Sequence, residues 1–91
     1  MTRSIGAVGP GSPNPLGATV VDGGVNFSLW APDATDVELL VFDPKDRRQP
    51  AAVIPLDLAS HRTDNYWHVA VPKVRPGTPY AYRIDGPYRP A

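Results

Sequence analysis

A chain of 91 residues with nine basic and nine acidic side chains and no cysteine supports one small domain and excludes several kinds of function. Balanced charge leaves no electrostatic footprint for nucleic acid or an anionic membrane, and the lack of thiols removes both a disulfide framework and a thiolate metal site. The length also falls far short of the ~250 residues of a barrel enzyme. Twelve prolines and eight glycines punctuate short apolar runs, the pattern of an all-β domain with many turns.

Residues 1–15 carry six glycines or prolines before any periodic pattern begins, and they predict an extended, partly mobile arm. The start, Met1-Thr2-Arg3-Ser4-Ile5, lacks the apolar stretch of a signal peptide, and no run approaches a membrane span. A soluble cytoplasmic protein is expected. The module proper spans residues 16–91.

Leu16 to Val21 predicts a short edge strand, closed by the hairpin-type turn Asp22-Gly23-Gly24. Val25 to Trp30 alternates, with Val25, Phe27 and Leu29 inward, and Ala31-Pro32 ends it. Val37 to Phe42 is the next strand, with Val37, Leu39 and Val41 on one face and Glu38, Leu40 and Phe42 on the other. The charged loop Asp43–Arg48 follows, then a weaker strand from Ala51 to Leu58, marked as an edge by Pro55. After a polar loop, Ser60–Asn65, Tyr66 to Val71 alternates again, and Trp67, Val69 and Val71 face the core. Pro76-Gly77 then fixes a reversal, because Pro presets φ and Gly permits a positive one. Tyr80, Tyr82 and Ile84 line one face of the last strand, and Asp85-Gly86-Pro87 turns the chain with Tyr88 beyond it. No segment repeats apolar positions at helical spacing. Six or seven short strands with regular turns predict an immunoglobulin-like antiparallel β-sandwich. Its expected core includes Phe27, Leu29, Leu39, Val41, Val69 and Ile84. Tyr80 is expected to brace a structural corner, its hydroxyl bonded to backbone near Val74–Gly77.

Catalytic chemistry finds little support. His61 and His68 are the only histidines, in a polar loop and on a strand face, and both read as solvated side chains rather than as a base or metal ligand. Glycoside hydrolysis needs two carboxyl groups flanking a sugar bond. The single glutamate is Glu38, on a strand, and the eight aspartates lie mostly in turns, where they cap backbone groups. No catalytic residue, metal ligand or cofactor is assigned. Two aromatic groups remain. Trp30, Leu40 and Phe42 fall on the outward side of two strands expected to be adjacent, an apolar face that is either covered by the N-terminal arm or a docking surface for another domain. Tyr66 and Tyr88 are the rings suited to stacking on a pyranose, Trp67 being read as core.

Several segments occur together in order: Pro15-Leu16-Gly17-Ala18-Thr19, Gly24-Val25-Asn26-Phe27-Ser28-Leu29-Trp30-Ala31-Pro32, Val37-Glu38-Leu39, Tyr66-Trp67-His68, Arg75-Pro76-Gly77 and Tyr80-Ala81-Tyr82-Arg83-Ile84-Asp85-Gly86-Pro87. Over residues 13–90 this resembles the N-terminal domain of isoamylase-type glycogen debranching enzymes, a family 48 carbohydrate-binding module of early-set immunoglobulin type. The resemblance implies a parent glycoside hydrolase acting on α-1,6 branch linkages of glycogen, with its catalytic carboxylates in a (β/α)₈ barrel outside these residues. This chain is then an excised or truncated module, itself without hydrolase activity, whose partners are the catalytic barrel of the same parent chain and α-glucan. Glycan-binding relatives of the module place tryptophans after the strand matching Val37–Phe42 and just after the Asp-Gly turn, with a basic residue at the position of Ala81. Here the first region is Asp43–Arg48, without an aromatic, and Tyr88 stands at the second. Docking to the barrel is therefore the leading expectation. An autonomous glycogen- or starch-binding module and a fibronectin-like protein-interaction domain are the alternatives, the latter opposed by Trp30-Ala31-Pro32 and Asp85-Gly86-Pro87-Tyr88.

Overall fold

Gly23 and Gly24 show how closely the local sequence sets the first hairpin. Gly23 holds a φ of 82°, and Gly24 lies so near the strand carrying Val71 and Pro72 that a Cβ there would meet the Val71 carbonyl and the Pro72 backbone. Only glycine meets both demands without strain. The computed structural model describes residues 8–86. Seven strands follow: β1 (Gly17–Val21), β2 (Gly24–Trp30), β3 (Asp36–Val41), β4 (Ala52–Pro55), β5 (Arg62–Thr63), β6 (Tyr66–Pro72) and β7 (Tyr80–Asp85). They form two antiparallel sheets, β1-β2-β6-β5 and β4-β3-β7. The expected sandwich is present. Its one unexpected strand, β5, has two residues, too few for alternation to show.

The core lies between the sheets. Phe27, Trp67, Val69 and Val71 from one sheet meet Val37, Leu39, Val41 and Ile54 from the other, all buried. Trp67 is 1% exposed and donates its indole Nε1–H to the Ala31 carbonyl at 3.2 Å, which ties the end of β2 to β6. Leu29 is half-buried and packs against this cluster.

Ile84 departs from expectation. It stands opposite Val37 on the inward side of β7, yet it is 48% exposed. The reason is position in the sheet. β7 is an edge strand, and β1, the edge of the other sheet, does not close over it. Val20 of β1 also points inward and is 59% exposed. The sandwich is open along this side, and alternation cannot report that.

Tyr80 is also corrected. Its ring sits edge-on to Phe27 at 4.9 Å and to Tyr82 at 5.8 Å. The corner carbonyl of Arg75 is taken instead by Thr78, whose backbone N–H and Oγ1 reach it at 3.2 and 2.8 Å. Thr78 braces this turn, and Tyr80 contributes through ring packing. Tyr80→Phe should accordingly change stability by less than about 0.5 kcal/mol, whereas Thr78→Val should cost about 1 kcal/mol. Urea denaturation of the two variants beside the parent checks both. A larger loss from Tyr80→Phe would restore a bracing role to the hydroxyl.

Candidate functional site

Val8 packs against the core, Gly9 bridges the edge of β6, and residues 10–13 cross the outer face of β2 and β6, where the sequence places polar side chains. Gly9 bridges to Ala70, with Gly9 N donating to Ala70 O at 2.8 Å and Ala70 N donating back at 3.1 Å. Asn26 receives Ser12 N–H on Oδ1 at 2.8 Å and donates Nδ2 to Ser12 O at 3.0 Å. Ser28 donates its hydroxyl to Pro13 O at 2.7 Å. A backbone segment with few donors of its own is thus held by side chains that supply them.

His68 belongs to this set, so its reading as a solvated side chain is overturned. It is buried, with Nδ1 2.6 Å from the Pro10 carbonyl and Nε2 2.7 Å from Thr63 Oγ1. A carbonyl only accepts, so Nδ1 carries the proton in this network, and in the neutral ring Nε2 accepts from Thr63. His61 is buried as well. Its Nδ1 accepts the Asp57 N–H at 2.8 Å, closing the loop from Asp57 to His61. Both histidines close backbone hydrogen bonds.

The expected docking group divides between the two sheets. Trp30 ends β2 on the outer face of the four-stranded sheet, whereas Leu40 and Phe42 lie on the outer face of β4-β3-β7. Successive strands in sequence had been expected to pair, but β2 and β3 sit in opposite sheets and the connection over Ala31–Thr35 crosses between them. Leu40 is flanked by Val53 on one side and Ala81 on the other, and Val53 is 42% exposed. One row along, Glu38 receives Arg83 Nη1 at 2.8 Å. Along β7 the Tyr82 hydroxyl is buried without a partner among the described residues, and burial pushes its pKa upward.

Trp30 instead has Tyr66 as its direct cross-strand neighbour. Trp30 is 55% exposed and Tyr66 half-buried. The hairpin between β5 and β6 borders this pair, with Asp64 at a φ of 54°. Arg62 is held beneath it, its Nε donating to Asp64 O at 2.7 Å and its guanidinium 5.2 Å from the Trp67 ring centre. Tyr88, the other sugar-stacking candidate, lies outside the described residues. The Trp30–Tyr66 pairing escaped the sequence reading because cross-strand neighbours depend on register, which alternation within each strand leaves open.

Comparison with known proteins bears on this arrangement. A glycogen debranching enzyme of Pectobacterium atrosepticum is 40% identical over 81 residues, covering 89% of this chain and 11% of its own length. Isoamylase 1, chloroplastic, of Oryza sativa is 40% identical over 82 residues, covering 88% of this chain and 10% of that protein. A pullulanase of Paenibacillus barengoltzii, solved as a mutant complexed with maltotriose, superimposes with a TM-score of 0.67 at 25% identity, over 80% of this chain and 11% of that one. The chain therefore spans about a tenth of the length of these relatives. The family model of carbohydrate-binding module 48, the isoamylase N-terminal domain, matches residues 15–90, and the chain belongs to that family.

Proposed function

We propose that this chain is the non-catalytic N-terminal module of a glycoside hydrolase that cleaves α-1,6 branch linkages of glycogen-type glucans. The observation that carries the reading is the match of nearly the whole chain to a tenth of debranching enzymes, which leaves the chemistry to the remainder. Within the described residues, no group of three or more His, Cys, Asp or Glu side chains could hold a metal ion. The only glutamate is tied to Arg83. The module packs on the catalytic barrel through the outer face of β4-β3-β7. That face offers Leu40, Val53, Phe42 and Ala81 to a partner rather than aromatic platforms to a sugar.

Mixing this chain with the separately produced remainder of its parent enzyme tests the assignment. A one-to-one complex is expected on gel filtration, and Leu40→Asp should abolish it. Burying an unpaired carboxylate in an apolar contact costs several kcal/mol, enough to weaken association more than about a hundredfold. Failure of the parent module to associate, or equal association of the variant, would reject this face as the docking surface. The chain alone should release no reducing sugar from glycogen, since it lacks a carboxylate pair in a cleft.

A further inference from the structure

Trp30 and Tyr66 stand side by side on a part of the four-stranded sheet that residues 8–13 leave open. Those residues make their contacts with Asn26, Ser28, His68 and Ala70, all farther along β2 and β6. The backbone beneath the pair is held firmly. β2 and β6 are in register up to Trp30 and Tyr66, Ala31 N donates to Asn65 O at 2.9 Å, and the Ala31 carbonyl accepts the Trp67 indole N–H. Directly opposed residues of an antiparallel pair place their Cβ atoms about 4.5–5.5 Å apart, so the two side chains leave the sheet from neighbouring positions on the same face. At its border the exposed Asp64 carboxylate and Asn65 amide supply an acceptor and a donor–acceptor group.

We infer that Trp30 and Tyr66, with Asp64 and Asn65 at their border, form an α-glucan contact site. It lies on the opposite side of the sandwich from the Leu40 docking face. The inference rests on the reading of the chain as a module of an α-glucan enzyme. The site is separate from Asp43–Arg48 and Ala81, two of the positions to which the resemblance points. The chemistry suits a pyranose. Aromatic rings offer area to the apolar C–H face of a sugar at small entropic cost, and Asp64 and Asn65 can take its hydroxyls. A lone exposed ring could take one sugar unit. Two neighbouring rings on a rigid sheet can be shared by consecutive units of a chain. Docking through the outer face of β4-β3-β7 would leave this surface free to receive a glucan branch.

Titration of the 91-residue chain with maltoheptaose, read by tryptophan fluorescence, tests the site. The chain has two tryptophans, and Trp67 is buried, so the response reports on Trp30. A saturable change with a millimolar Kd is expected, equivalent to about −4 kcal/mol. Tyr66→Ala should weaken it at least about fivefold, close to 1 kcal/mol, while Tyr66→Phe keeps the ring and the affinity. Leu40→Asp should leave the titration unchanged, so a failed docking assignment and a failed sugar site give different results. Absence of a saturable change to about 20 mM sugar would overturn the proposal. So would a response that survives Tyr66→Ala, or one lost on Tyr88→Ala while Tyr66→Ala retains it. Backbone amide NMR spectra of each variant confirm the fold against which these outcomes are read.

Discussion

Trp67→Ala is expected to remove about 3–5 kcal/mol of stability. A domain of this size holds about 5–15 kcal/mol in all, so the variant would lose a large share of its stability. Three losses combine. The ring is 1% exposed at the centre of the core, so truncation leaves a large cavity among Val69, Val71 and their neighbours. The Ala31 carbonyl loses the indole N–H that it accepts at 3.2 Å. The Arg62 guanidinium loses the ring that it covers. Urea denaturation followed by circular dichroism measures the sum. Trp67→Phe separates the terms, since it keeps most of the packing and gives up the hydrogen bond. A loss below about 1 kcal/mol for the alanine variant would place Trp67 outside the core.

Phe27→Ala and Ile84→Ala should separate widely, although alternation places both on inward-facing sides. Phe27 is 2% exposed in a central strand and meets the Tyr80 ring, and its truncation should cost about 3–5 kcal/mol. Ile84 is 48% exposed on an edge strand, and its truncation should cost less than about 1 kcal/mol. The same denaturation series measures both. Comparable losses would mean that the side of the sandwich between β1 and β7 is closed in solution.

The sequence by itself determined every strand long enough to alternate. Val25, Phe27, Val37, Leu39, Val41, Val69 and Val71 are inward as their period of two requires, and all are buried. Glycine and proline fixed the turns, because few other residues hold a φ of 82° at Gly23 or 84° at Gly77. The family was also readable, since its motifs are contiguous segments of the chain. Tertiary structure alone decided which strands became neighbours. Alternation describes each strand against itself, so it could not place β2 and β3 in different sheets or set Trp30 beside Tyr66. Nor could it find β5, or tell that Ile84 faces an open edge. His68 was misread for the same reason, since the partner that buries its ring is the Pro10 carbonyl, 58 residues away. Local pattern sets the faces of strands, but register and the order of strands in each sheet decide which surfaces meet, because both are fixed only when the core closes.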